Sequence, residues 1–308
     1  MVISVKTYPN NKVWAIVKQL RPHHWVKNLF VLAPLLFSRQ YRFPPQCWRS
    51  FLAWAAFCAI SSAIYVLNDL TDLKEDQKHP TKKNRPLAQG ILTSNVAMIL
   101  IIILVAINLV FSWFLGGNFV LISLIYLASN ALYSFGIKHV AILDVMTISA
   151  GFVLRILAGS VAIAVGPSHW LVLCTIMVSL FLGFTKRRAE LVSVQETGEH
   201  TRKVLQDYSI AFLDQVIPMV TAATIICYAL YTVDDRTLTV LGTRAMLLTV
   251  PSVMYGLFRY IYLIYHEQKW ADPTELVCRD APTLINLLIW VLISVWVVAQ
   301  GHQFDLFN

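Results

Sequence analysis

Residues 96–115 read VAMILIIILVAINLVFSWFL, a run of 20 residues without a charged side chain. An α-helix needs about 20 predominantly apolar residues to cross the hydrocarbon core of a bilayer. The whole 308-residue chain has this character, because 57% of its residues are hydrophobic, only 14% are charged and its mean hydropathy is +0.62. Soluble domains carry about 25% charged residues. The composition therefore predicts an integral membrane protein.

Nine apolar stretches are separated by polar or glycine-containing segments, and each is a candidate transmembrane helix. They cover residues 25–38, 50–67, 96–115, 119–137, 140–165, 170–185, 210–232, 246–265 and 284–299. The first stretch is the shortest, and it would need the neighbouring amphipathic residues 13–20 to complete a crossing. The pattern predicts one all-α transmembrane domain over residues 1–308, a bundle of about nine helices.

The basic residues are unevenly distributed between the two sets of connecting segments. With the N-terminus in the cytoplasm, 18 Lys and Arg residues lie on the cytoplasmic side and 5 lie outside, while Arg155 and Arg259 fall within spans. Cytoplasmic loops of membrane proteins carry this excess of positive charge. We therefore expect a cytoplasmic N-terminus, an outer C-terminus and chemistry on the cytoplasmic side. Topology explains the net charge of +8 better than a nucleic-acid partner does.

An acidic motif, NDLTDLKED at residues 68–76, directly follows the second apolar stretch. If the helix continues, Asp69, Asp72 and Asp76 share one face, where their like charges repel unless a cation lies among them. Carboxylate oxygens suit Mg²⁺, and Mn²⁺ accepts the same ligands. The motif thus predicts a metal site held by these three residues and oriented by Asn68. A solvated charged loop explains the acids alone equally well.

A basic loop follows the acids and reads KHPTKKNRPLAQG over residues 78–90. Lys82, Lys83 and Arg85 would supply donors for phosphate oxygens opposite the metal. Pro80 and Pro86 would stiffen the loop. The alternative is a cytoplasmic loop that binds no ligand, but the adjacent acids favour a metal–phosphate site.

The segment 68–90, NDLTDLKEDQKHPTKKNRPLAQG, resembles the first signature of the UbiA superfamily of intramembrane prenyltransferases. Four further segments narrow the resemblance to the branch of decaprenyl-phosphate phosphoribosyltransferases. They are LRPHHWVKNLFVLAPLLFS at 20–38, YSFGIKHVAILDV at 133–145, GFVLRILAGS at 151–160 and FTKRRAELV at 184–192.

The resemblance implies a nine-helix bundle in the bacterial cytoplasmic membrane with a cavity that faces the cytoplasm. The implied reaction joins 5-phosphoribosyl diphosphate to a polyprenyl phosphate and releases diphosphate. Its product would supply a lipid-linked arabinose donor for cell-envelope synthesis. A homo-oligomer is compatible with this expectation.

The chain departs from the superfamily pattern after the sixth apolar stretch. Typical aromatic prenyltransferases of the superfamily carry a second aspartate-rich motif there, whereas this chain reads KRRAE at 186–190. Lys186 and Arg187 would add phosphate donors, which fits a substrate pair with more phosphate groups. The departure argues against the main alternative, an aromatic prenyltransferase that uses a prenyl diphosphate.

Four more residues match the family pattern, and the Tyr133 and Lys138 positions resemble ones that contact the diphosphate in the superfamily. Tyr133 and Lys138, at the cytoplasmic end of the fourth stretch, are expected at the diphosphate. Arg21 and Lys27 border the first stretch and would contact the lipid phosphate. Interfacial anchoring and topology are the competing explanations for these side chains.

Asp144 and Arg155 are ionisable residues within the fifth stretch, on one helix face and about 16 Å apart. Such residues usually face a cavity or an ionic partner. Asp144 would help to hold metal or ribose hydroxyls, and Arg155 would pair with an acid on another helix; a structural ion pair is equally compatible. In a transporter or channel both would line a pathway, but no internal repeat supports that function.

Overall fold

The computed structural model describes residues 12–78, 82–197, 203–266 and 279–300, and these residues form helices and connecting turns without a β-strand. Twelve α-helices are numbered here in chain order. They are α1 Lys12–Leu20, α2 Ala33–Phe37, α3 Pro44–Thr71, α4 Leu73–Asp76, α5 Ser94–Leu115, α6 Gly117–Phe135, α7 Leu143–Ala162, α8 His169–Thr197, α9 Ile210–Val233, α10 Asp235–Leu241, α11 Val250–His266 and α12 Ala281–Gln300.

Eight helical segments in the described part of the chain are long and apolar enough to cross a membrane. They are α3, α5, α6, α7, α8, α9, α12, and α11 together with the 3₁₀ turn Ala245–Thr249 that precedes it. The expected all-helical membrane fold is confirmed. The first of the about nine expected spans is not among these eight helices, because its residues have a different structure.

The first predicted span, residues 25–38, lies in a 3₁₀ helix, Pro22–Leu32, that continues into the short α2. Each part begins with a proline at its first or second position, Pro22 and Pro34, where the missing N–H is tolerated. A 3₁₀ helix rises about 2.0 Å per residue and an α-helix about 1.5 Å, so the two parts extend over about 30 Å. This length matches the hydrocarbon core of a bilayer although the segment has few residues.

The 3₁₀ helix packs so closely on α7 that one glycine is required at the contact. A Cβ atom on Gly159 would lie 2.0 Å from the carbonyl oxygen of Val31. Ala158 and Ala162 beside it are fully buried. Small residues of this kind allow backbones to approach within membrane bundles.

Helices α3 and α7 form the centre of the bundle. In their most apolar windows 61% and 50% of the residues are buried, against 17–28% in the other six spans. Phe57 on α3 packs edge-on against Phe119 of α6, and both are fully buried. Because these two helices are central, polar side chains at their ends are held by several neighbouring elements.

We expect Gly159→Ala to destabilise the protein by about 1–3 kcal/mol, the usual cost of overpacking a close contact. Gly117→Ala is the matched control, because no atom lies within 4 Å of its added Cβ and its φ is not positive. Thermal unfolding in detergent measures both variants. Equal melting temperatures for the two would contradict the close approach of the 3₁₀ helix to α7.

Candidate active site

The last turn of α3 and the short α4 carry two carboxylates that are almost completely removed from solvent. Asp69 is 3% exposed and Asp76 is 2% exposed. A buried carboxylate is costly unless it is paired and hydrogen-bonded. The elements around these two residues, α1, the 3₁₀ helix and the loop after α4, supply those partners.

Three side chains donate to Asp69. Gln19 Nε2 lies 2.7 Å from Oδ2, while Arg21 Nη2 and Arg85 Nη1 lie 2.5 Å and 2.9 Å from Oδ1. The guanidinium of Arg21 also lies over the ring of Tyr65 on α3, 5.2 Å from its centroid. One carboxylate oxygen of Asp69 therefore accepts a hydrogen bond from a neutral amide. The other accepts hydrogen bonds from two positively charged guanidinium groups.

Arg85 joins the two buried carboxylates, because the same Nη1 atom also donates to Asp76 Oδ2. Lys82 Nζ lies 3.9 Å from the other oxygen of Asp76. Burial raises the pKa of Asp76 above its ordinary value, and the positive charges of Arg85 and Lys82 oppose that rise. The predicted acids and the predicted basic loop thus meet in one ionic cluster.

Asp72 lies at the junction of α3 and α4, and its carboxylate has a different partner from the other two acids. α3 ends at Thr71, α4 begins at Leu73, and Asp72 connects them. Its carboxylate accepts a hydrogen bond from Lys138 Nζ at 2.7 Å. Arg85 thus bonds to Asp69 and Asp76, whereas Lys138 bonds to Asp72, and the shared helix face of the three carboxylates stays a prediction.

Asn68 is held by α6. Its side-chain oxygen accepts a hydrogen bond from Ser134 Oγ, and its backbone carbonyl accepts one from Thr71 Oγ1 at 3.0 Å. Lys138 follows α6 in the chain, so the end of this helix contacts the acidic motif at two points. Asn68 and Asp72 are both fixed by the segment around residues 134–138.

No three His, Cys, Asp or Glu side chains converge as a metal-binding group in the described part of the chain. The donor chemistry nevertheless fits a hard divalent cation. Asp69 and Asp76 both reach one nitrogen of Arg85, so an ion at that position would reach both carboxylates after a small closure.

A second buried ionic cluster fixes the start of α7. Asp144 is fully buried and accepts hydrogen bonds from Arg187 Nε at 2.6 Å and from the Tyr208 hydroxyl at 2.7 Å. Arg187 Nη1 also donates to Glu190, and the Tyr208 oxygen accepts the backbone N–H of Ile142, whose φ is +69°. Burial, followed by the contact with Asp144, raises the pKa of Tyr208 above its ordinary value.

Arg155 lies deep in the bundle without an acidic partner among the described residues, which corrects the expected ion pair. Its guanidinium donates to Asn28 Oδ1, the Gly151 carbonyl and the Tyr126 hydroxyl at 2.6–2.8 Å. It also lies 4.9 Å and 5.3 Å from the ring centroids of Tyr126 and Phe152. Dipoles and aromatic faces therefore stabilise this charge.

The amino-acid sequence matches a known protein family. A sequence profile described as the UbiA prenyltransferase family matches residues 28–276. The chain belongs to this family. A family member with eight apolar helices of spanning length is a multi-pass membrane protein.

Relatives of this UbiA family member extend over nearly its whole length. Decaprenyl-phosphate phosphoribosyltransferase from Mycolicibacterium smegmatis is 33% identical over 92% of this chain and 92% of that protein. The protein of the same name from Mycobacterium tuberculosis (strain CDC 1551) is 34% identical over 95% and 97%. A solved UbiA homolog from Archaeoglobus fulgidus, bound to DMAPP and Mg²⁺, has a TM-score of 0.66 at 16% identity and covers 92% of this chain and 99% of that chain, which shows the shared fold.

The other site residues predicted for this UbiA protein differ in their exposure to solvent. Lys83 is exposed, whereas Lys27, Tyr133 and Lys186 are partly buried. Lys27 lies six residues beyond Arg21, about 12 Å along a 3₁₀ helix, so these two residues are not neighbours. Their roles in binding phosphate stay predictions.

Sequence reasoning missed several residues that bond to the predicted site residues, among them Gln19, Ser134 and Tyr208. Gln19 had a detectable signal, since it lies four residues after Ala15 on the buried face of the amphipathic α1. Ser134 and Tyr208 lie 66 and 64 residues from their partners, and no local pattern marks such pairs.

We expect Arg187→Met to lower stability strongly, by about 3–5 kcal/mol, because it leaves a buried carboxylate without its cation. Arg188→Met is the matched control, because Arg188 pairs with the more exposed Asp214 and exposed pairs contribute about 0–1 kcal/mol. Unfolding of the purified variants measures the difference. Native stability of Arg187→Met would instead favour a phosphate-binding role.

Proposed function

We propose that this protein transfers the 5-phosphoribosyl group of phosphoribosyl diphosphate to decaprenyl phosphate or a similar polyprenyl phosphate and releases diphosphate. The observation that carries the proposal is the near full-length similarity to two mycobacterial proteins named for this activity. The ionic cluster at the ends of α3 and α4 supports it, because the cluster combines carboxylates with several phosphate donors.

We propose that the whole chain forms one catalytic domain in the bacterial cytoplasmic membrane. The N-terminus and the ionic cluster face the cytoplasm, where a soluble phosphoribosyl diphosphate is available, and the C-terminus faces outward. The excess of Lys and Arg in the cytoplasmic segments supports this orientation. The lipid acceptor enters from the bilayer.

Asp69, Asp76 and Asp72 are the proposed carboxylate ligands of a divalent cation, Mg²⁺ or Mn²⁺. When bound, the ion would neutralise charge that grows on the departing diphosphate. Asn68, fixed by Ser134, orients the end of α3 from which these ligands project. Asp69 and Asp76 accept hydrogen bonds from Arg85. The same carboxylate oxygens would bind the ion when Arg85 bonds to phosphate instead.

The basic side chains of the cluster are the proposed phosphate ligands. Arg85 is 28% exposed and Arg21 is 18% exposed, so both guanidinium groups lie between the buried acids and solvent. Charge-assisted bonds from guanidinium to phosphate are short and often bidentate. Lys82 and Lys138 add further positive charge, and Lys186 is the candidate for the 5-phosphate or the acceptor phosphate.

The reaction breaks the bond between the ribose C1 and the diphosphate oxygen, and it forms a bond between C1 and an oxygen of the polyprenyl phosphate. Positive charge develops at C1 while negative charge develops on the leaving group, so preorganised cations stabilise the transition state. The attacking phosphate oxygen is already anionic at neutral pH. The chain therefore needs no general base.

An in vitro assay tests this function directly. Purified protein with Mg²⁺, phosphoribosyl diphosphate and decaprenyl phosphate is expected to form decaprenylphosphoryl-5-phosphoribose, detected by its mass, and EDTA is expected to abolish the product. Prenyl diphosphate with an aromatic acceptor serves as the competing substrate pair. A prenylated aromatic product without any phosphoribosyl product would contradict the proposal.

Asp72→Asn is expected to lower turnover by at least about 100-fold while the protein still inserts and folds, because the lost charge weakens metal binding. Glu75→Gln is the matched control, since Glu75 is an exposed acid three residues away. Full activity of purified Asp72→Asn would remove Asp72 from the metal site.

A further inference from the structure

Gln19 is a buried polar residue at the edge of the ionic cluster, outside the part of the chain that the family profile matches. It lies near the end of α1 and is 1% exposed. The opposite face of α1 carries the exposed apolar residues Val13, Trp14 and Val17. α1 is therefore an amphipathic helix whose apolar face suits the membrane interface, and whose inner edge reaches the active site.

The amide of Gln19 has one defined orientation. Its Nε2 donates to Asp69 Oδ2 at 2.7 Å. The reversed orientation would place the amide oxygen against a carboxylate oxygen, which is repulsive. In the observed orientation Oε1 is buried without a hydrogen-bond partner among the described residues. An unpaired buried carbonyl costs free energy, which offsets part of what the bond to Asp69 contributes to stability.

The two oxygens of Asp69 have different partners, and this difference assigns a role to Gln19. Oδ1 receives the cations Arg21 and Arg85, which a metal ion would displace because they occupy the same oxygen. Oδ2 accepts a hydrogen bond from the neutral amide of Gln19, which carries no charge that would compete with a metal ion. The bond from Gln19 can therefore persist when the cations move to phosphate.

We propose that Gln19 is a positioning residue, which holds Asp69 through Oδ2 so that Oδ1 stays directed at the metal–diphosphate site. This role rests on the proposed function for the metal–diphosphate site and for the identity of the substrate. Partners that orient a metal-binding side chain typically change metal affinity or activity by about 10–100-fold when they are removed. Because the exposed apolar face of α1 suits the membrane interface, the same bond would connect the position of α1 to the geometry of the site.

The test uses Gln19→Met, which keeps the side-chain length but removes the donor, and Gln19→Asn, which keeps the amide but retracts it by one methylene. Gln89→Met is the matched control, because Gln89 is exposed in the loop after Arg85. Titration calorimetry with Mn²⁺ and inorganic diphosphate measures binding to the full-length purified proteins. Thermal unfolding reports on folding.

Both Gln19 variants are expected to fold and to bind Mn²⁺–diphosphate about tenfold more weakly, with a lower kcat. Gln89→Met should match the native protein. Native binding by Gln19→Met would overturn the proposal, and so would failure of both variants to fold, which would make Gln19 a stability residue. Weaker binding without any phosphoribosyl transfer by the native protein would refute the proposed function while leaving the positioning role intact.

Discussion

The buried carboxylates of Asp69 and Asp76 are the constraint on which the rest of the cytoplasmic end depends. Each must be neutralised where solvent does not reach, and one nitrogen of Arg85 bonds to both. This requirement brings together the end of α3, the short α4 and the loop that carries Arg85. Arg21 and Gln19 add the N-terminal segment to the same cluster. In the proposed reaction, these paired acids and cations would exchange partners when a metal ion and a diphosphate bind.

The apolar part of the bundle holds these elements at fixed positions. α3 and α7 are its most buried helices, and the 3₁₀ helix lies directly against α7 at Gly159. The same 3₁₀ helix begins beside Arg21, so its packing also determines where that arginine meets Asp69. At the start of α7, Asp144 and Arg187 fix the neighbouring helix ends. Two separate ionic clusters thus anchor the central helices.

Hydropathy predicted the membrane fold, and the acidic motif with the basic loop after it predicted that Asp69, Asp76 and Arg85 belong to one site, but not that Arg85 bonds directly to both acids. The 3₁₀ geometry was hidden because apolar side chains occur on every face of that segment. The neutral partners of Arg155 and the bond from Gln19 to Asp69 depend on residues distant in sequence, which a local pattern does not reveal.

The central claim is that Asp69 holds a divalent cation against the diphosphate of the substrate. Pulsed EPR of the purified protein with Mn²⁺ and phosphoribosyl diphosphate measures ³¹P coupling to protein-bound manganese. The account predicts strong ³¹P coupling in the native protein and its loss, together with the bound manganese, in Asp69→Asn. Bound manganese with unchanged ³¹P coupling in Asp69→Asn would contradict it.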